Sequence, residues 1–163
     1  MDVANIHATC VALGEAGPRF GPDNRGVLLL GKSGSGKSDL ALRLIGRGCE
    51  LVSDDRCDLF VRGQMLCARA PERLARLMEV RGVGILELPH RAEAEIVLAV
   101  ELVAPDGVPR LPQPERYRPP APLPEAAAVP LLRLHAFEVS APDKVIWAAA
   151  FARNLFGEVV KKI

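Results

Sequence analysis

Residues 31 to 38 read GKSGSGKS, and what brackets them constrains the fold more than any other feature of the chain. RGVLLL, residues 25 to 30, is a short apolar run that reads as a buried strand. SDLALRLIGRG follows, with Leu40, Ala41, Leu44 and Ile45 on one face of a helix. Asp39 lies in the first turn, where it complements the helix dipole, and Gly48 supplies a left-handed C-terminal stop. A flexible Gly/Ser linker is not framed in this way. Gly31, Gly36, Lys37 and Ser38 satisfy G-x-x-x-x-G-K-[ST], and strand–loop–helix is the context that motif requires. Glycines let backbone N–H groups turn inward around a phosphate, the lysine reaches the outer phosphates, and the serine hydroxyl binds Mg²⁺. The helix N-terminus adds partial positive charge. Gly31, Lys32, Ser33, Gly34, Ser35, Gly36, Lys37 and Ser38 are therefore the candidate nucleotide-binding residues, with Lys32 a variable position among them.

The 163 residues suit a single domain with one core. With 49% apolar and 25% charged residues, the composition is that of a soluble globular protein. A net charge of +1 makes nucleic acid an unfavoured partner, and no apolar run is long enough to cross a bilayer. MDVANIHATC has neither the basic region nor the apolar region of a signal peptide, so a cytoplasmic location with reduced cysteines is expected. None of Cys10, Cys49, Cys57 and Cys67 forms a C-x-x-C pair. His7 and Cys10 are spaced like two metal ligands, but no second pair accompanies them, and they read as part of a strand.

That strand is NIHATCVAL, residues 5 to 13, followed by a loop over 14 to 24. CELVSDD reads as a strand ending in two aspartates, and CDLFVRGQML as a hairpin turning at Gly63. APERLARLMEVRG starts with Pro71 near a first helical position and sets Leu74, Leu77 and Met78 on one face, which predicts a helix. VGILEL is a strand, and AEIVLAVELV alternates through Ile96, Leu98, Val100 and Leu102. Nine of the fourteen prolines lie between Pro105 and Pro130, which predicts a long loop, mobile or functional. LLRLHAFEV, residues 131 to 139, reads as a strand. Ser140 with Asp143 forms a capping-box pattern opening a helix to about Asn154 or Phe156, stopped by Gly157.

A phosphate loop alone does not define a reaction; a second acidic site must position the metal. Asp54 and Asp55 end the strand that follows the loop's helix, where a parallel strand's carboxyl end would face the same crevice. One can serve Mg²⁺. The other, beside a like charge, holds a proton more readily and suits a general base. Residue types do not distinguish the two, and adjacent strand residues point to opposite faces, so both reach one site only if the strand has ended by Asp54.

GKSGSGKSDLALRLIGRGCELVSDD with MEVRGVGILEL resembles the catalytic domain of HPr kinase/phosphorylase. That pattern is a phosphate loop, an LV-x-DD strand, an E-[VI]-RG-x-G-I signature and a histidine in the strand upstream. The resemblance implies an α/β fold, a P-loop-containing mixed sheet with flanking helices similar to the HPr kinase and phosphoenolpyruvate carboxykinase-like core. It implies a truncated form with the catalytic domain alone over residues 1 to 163. It also implies ATP and Mg²⁺ as ligands, an HPr-like phosphocarrier of the phosphotransferase system as partner, and a homo-oligomer, hexameric in the family. Residue by residue, Lys37 holds the donor phosphates and Ser38 binds the metal, with Asp55 and Glu79 as its acidic partners. Asp54 is the base toward a carrier serine and the acid in reverse phosphorolysis. His7 is the active-site histidine, and Arg110 matches an arginine associated with dephosphorylation. The C-terminal third departs from the family: VPLLRLHAFEVSAPDK stands where the long enzymes carry PV-x-PGRN. A small-molecule kinase on the same loop and a non-catalytic nucleotide sensor are the alternatives. The first lacks an arginine-rich lid helix. His90 and His135 sit in no motif, Lys144 follows the capping box on the exposed face of the last helix, Arg116 and Arg118 read as solvated loop charges, and Arg81 reads equally as a catalytic residue or as a surface or salt-bridge residue.

Overall fold

A computed structural model describes residues 1–17 and 24–155. Eleven strands and two helices are found among them: β1 Ala4–His7, β2 Thr9–Ala12, β3 Arg25–Leu30, α1 Lys37–Gly46, β4 Glu50–Ser53, β5 Arg56–Arg62, β6 Met65–Arg69, β7 Leu77–Val80, β8 Gly84–Glu87, β9 Glu93–Leu102, β10 Arg116–Tyr117, β11 Val129–Leu134 and α2 Ala141–Ala150. Strand order in the main sheet is β1-β5-β6-β9-β3-β2-β4, with β11 parallel to β9 and β10 against β11. β3, β9 and β11 run parallel, and the other pairs are antiparallel. The fold is thus the mixed α/β sheet with helices that the sequence predicts.

Chain continuity curls this sheet. β1 and β2 are halves of one strand separated only by Ala8, and β4 and β5 are halves of another separated only by Asp54 and Asp55. The halves pair with each other in matching order, β1 with β5 and β2 with β4. β6, β9 and β3 complete a path that returns to β2. The sheet consequently has two packed faces. On one, Val11, Leu29, Leu51, Leu98 and Val100 pack under Leu40, Ala41 and Leu44 of α1 and Ala141, Val145 and Ala149 of α2. On the other, small residues dominate: Ala8, Cys10, Ala12, Ala68, Ala94 and Ala99 meet Leu28, Leu59 and Leu66.

Several sequence expectations are corrected. Residues 71 to 80 form no α-helix. Glu72–Leu74 is a single 3₁₀ turn, Arg76 takes a left-handed φ of 75°, and Leu77–Val80 pairs with β8 in a separate two-stranded sheet. Met78 is buried while Leu74 and Leu77 are exposed, so the three share no packed face. The proline-rich segment is built into the fold rather than loose: it contributes β10, Leu123 and Ala127 pack into the small-residue core, and its last residues, Val129 and Pro130, open β11. Strand β11 stops at Leu134 rather than Val139. Ser140 makes no side-chain cap, and Asp143 pairs with Arg47 at 3.0 Å rather than closing a capping box. Helix α2 ends at Ala150, and the expected stop at Gly157 lies outside the described residues.

Candidate active site

The phosphate loop runs from the end of β3 into α1. Gly31, Gly34 and Gly36 have φ of 146°, 84° and 99°, and side-chain-bearing residues rarely adopt such values. Two of these glycines are also needed for space. A Cβ on Gly31 would lie 2.5 Å from Ser35 Oγ, and one on Gly36 would lie 2.6 Å from Ala136 Cβ. Lys37 is buried at 6% exposure, and its ammonium donates to the carbonyls of Gly31 at 2.6 Å and Lys32 at 3.2 Å. Burial lowers its proton affinity, and the carboxylates of Asp55 and Asp54 act in the opposite direction. Ser35 Oγ is buried with no hydrogen-bond partner among the described residues. A buried hydroxyl without an acceptor is unfavourable, and an anion held in this loop would supply one. The loop therefore fits a nucleotide phosphate.

The acidic site arises where the paired bent strands break. The antiparallel ladder runs His7 opposite Arg56 and resumes with Cys10 opposite Ser53, with a register shift beyond Cys10. Between them one backbone–backbone bond, Ala8 N donating to Asp55 O at 3.1 Å, joins the strands. Asp55 takes a φ of 65°, an uncommon state for a residue with a side chain and more tolerable for aspartate than for most. The strand has thus ended by Asp54, as sharing of one site by both carboxylates requires. Ser38 Oγ donates to Asp54 Oδ1 at 2.8 Å, and Thr9 Oγ1 donates to the same oxygen at 3.1 Å. His7 Nε2 is hydrogen-bonded to Asp55 Oδ1 at 2.9 Å, and Asp55 N donates to Thr9 Oγ1 at 3.3 Å. Asp54 faces the Ser38 hydroxyl of the loop. The Asp55 side chain, 70% exposed, is open to solvent beside His7.

The sequence candidates His7, Lys37, Ser38, Asp54 and Asp55 come together in this way. Glu79 and Arg110 do not join them by any hydrogen bond or ion pair. Glu79 is exposed on β7, and Arg110 is exposed on the segment between β9 and β10. Among the described residues no three His, Cys, Asp or Glu side chains converge as a ready metal cluster. Thr9, fully buried and bonded to both aspartates, was missed. Its one signal is a hydroxyl two residues after His7 in an otherwise apolar strand.

A family model described as the HPr serine kinase C-terminal domain matches residues 23–107, more than half of the chain. The chain belongs to that family. HPr kinase/phosphorylase from Peptoclostridium acidaminophilum is 53% identical over 66 residues, 40% of this chain and 21% of that protein. The protein of the same name from Lactobacillus acidophilus is 42% identical over 86 residues, 48% of this chain and 27% of that protein. The matched stretch thus spans only about a quarter of these relatives' length. The solved structure of the HPr(Ser) kinase/phosphatase from Coxiella burnetii superimposes with a TM-score of 0.69 at 24% identity, covering 98% of both chains. That likeness establishes the fold: a curled α/β sheet with two helices. Among the described residues no helix is long and apolar enough to cross a membrane.

Proposed function

We propose that the chain is an ATP-dependent protein kinase that phosphorylates a serine of an HPr-like phosphocarrier in the cytoplasm, with reversal by inorganic phosphate. The observation that carries the reading is the paired contact across the strand break: Ser38 to Asp54 at 2.8 Å beside His7 to Asp55 at 2.9 Å. Family membership supports the same chemistry.

In this reading the loop glycines and Lys37 hold the β- and γ-phosphates of ATP. Ser38 and Asp54 would hold Mg²⁺, which would supply positive charge against the donor's phosphoryl oxygens. Asp55 accepts the proton of the carrier serine as its oxygen bonds to the γ-phosphorus, the β–γ bridging bond breaks, and ADP leaves. His7 orients Asp55 through their hydrogen bond. This allocation exchanges the two aspartates relative to the sequence resemblance, in which Asp54 is the base and Asp55 a metal ligand. The hydrogen bonds favour the exchange: Asp54 is engaged by the loop hydroxyl of Ser38 and by Thr9 of β2, whereas Asp55 is accessible. Glu79 and Arg110 belong to the proposal as exposed residues that the docked carrier brings into play, Arg110 in dephosphorylation. Homo-oligomerisation is part of the same proposal, and sedimentation equilibrium measures it.

The test is incubation with γ-labelled ATP and Mg²⁺, with and without HPr-like carriers. Label on a carrier serine supports the proposal. Label only on a metabolite would establish a small-molecule kinase, and nucleotide binding without any transfer would establish a sensor.

A further inference from the structure

Three parallel strands deliver their carboxyl ends to one place. β3 ends at Leu30, β9 at Leu102 and β11 at Leu134. Val103 N donates to Leu134 O at 2.9 Å, and the His135 Nδ1–H donates to Val103 O at 2.9 Å. A Cβ on Gly31 would come within 3.3 Å of Leu102 O, so the phosphate loop adjoins the same strand ends. In α/β sheets the ligand crevice lies outside the carboxyl ends of the strands.

The chain leaving β11 packs directly on the loop. Ala136 is fully buried, and a Cβ on Gly36 would stand 3.0 Å from Phe137 Cζ. Arg43 of α1 holds this segment from one side, its guanidinium donating to the carbonyls of Ala136 and of Glu138, the latter at 3.2 Å, while its Nε donates to Asp39 at 2.9 Å. Lys144 of α2 holds it from the other, donating to the Glu138 carboxylate at 2.7 Å. The backbone is thus tied down on both flanks, yet Phe137 is 56% exposed. Its ring meets that of His135 edge to face, with centroids 5.7 Å apart and planes at 70°. A large aromatic side chain held in water by an anchored backbone loses hydrophobic stabilisation that nothing else among the described residues restores. A flat apolar ligand placed against it would restore it.

We propose that Phe137 is the stacking platform for the nucleobase of the donor, with His135 bracing its ring. The inference rests on the phosphate-loop reading and deepens it, because it makes the donor a nucleoside triphosphate rather than inorganic pyrophosphate or polyphosphate. The phosphates lie in the loop at Gly31–Ser38, and the base lies over Phe137 beside Gly36. Base–aromatic stacking tolerates any base, since each has a π-face.

Titration calorimetry with ATP and with inorganic tripolyphosphate, both in Mg²⁺, tests this without any requirement for turnover. The wild-type chain is expected to bind ATP on the order of tenfold more tightly than tripolyphosphate. Phe137→Ala should remove that margin and leave tripolyphosphate affinity within about twofold. Phe137→Leu, which keeps an apolar side chain without a ring, should behave like the alanine variant, and Phe137→Tyr should keep the margin. Unchanged ATP affinity in a folded Phe137→Ala or Phe137→Leu variant overturns the inference, as does equal binding of the two ligands by the wild type. If the wild type binds neither, the phosphate loop reading falls, and this inference with it.

Discussion

Asp54 and Asp55 are neighbours in sequence with opposite surroundings, and the break in the strand ladder separates them. Asp54 receives hydrogen bonds from Ser38 and Thr9, while Asp55, turned by its left-handed backbone, pairs with His7. Asp55→Asn is expected to lower kcat by roughly 10²- to 10⁴-fold, the range for loss of a general base, with ATP affinity unchanged. Asp54→Asn should instead raise the Mg²⁺ concentration needed for half-maximal rate. Steady-state kinetics across a Mg²⁺ series separates the two, and the opposite pattern would restore the allocation implied by sequence resemblance. Gly36→Ala forces a Cβ to 2.6 Å from Ala136 Cβ at a φ of 99°, and should destabilise the fold by about 1–3 kcal/mol in thermal melts. At this scale the sequence is read well where a motif fixes spacing, as for Lys37 and Ser38. It is silent on Thr9, whose role depends on a partner strand more than forty residues away.

The strand–loop–helix unit, Arg25–Leu30 into Lys37–Gly46, was legible because its periodicity and its glycines agree. Gly48 does take the expected left-handed conformation, with φ of 109° after α1. The segment around Leu74, Leu77 and Met78 was not legible, because helical spacing and a short strand preceded by a turn leave similar marks over so few residues. The pairing of Leu77 with Glu87 and Met78 with Leu86 decides the matter. Met78→Ala should therefore cost about 2–5 kcal/mol and Leu77→Ala less than ~1 kcal/mol by denaturant titration, whereas a helix burying both would give comparable losses. β9 misled in a different way. Its register against β3 shifts at Val97, so Ile96 packs in the small-residue core while Leu98 packs under the helices. Strict alternation would have put both on one face. A bulge is a pairing event, with no signature in the strand's own residues.

The curl of the whole sheet comes from three-dimensional pairing of strand halves and was not readable from any local pattern. One of its effects is chemical. All four cysteines are buried and free. Burial, with Glu50 as a lesser cause, pushes the Cys49 thiol up to about 12, and burial beside Cys57 holds Cys10 well above the ordinary range. The folded protein should therefore show almost no fast reaction with a disulfide reagent at pH 8, and all four thiols should react once it is unfolded. The same shifts tie stability to pH. Above the unfolded-state value near 9 the unfolded chain releases protons that the native thiols retain, so this stabilisation is complete below pH 9 and declines toward pH 12. Lys37, whose proton affinity is lowered by burial, opposes the trend, while the thiols of Cys10, Cys49 and Cys67 and the Tyr117 phenol, all raised by burial, act together against it. Melting temperatures should accordingly fall between pH 9 and 11.

β9 belongs to both parts of the curl. It lies against β6 at its start, against β3 along most of its length and against β11 at its end, and Ala99 and Val100 are fully buried between β3 and β11. The molecule has no partial way to let go of it. In deuterated solvent the amides of Ala99 and Val100 should exchange only when the entire chain opens, and their rate would report its global stability directly. The β7–β8 hairpin, a separate sheet with most of its residues exposed, should take up deuterium through small local openings long before.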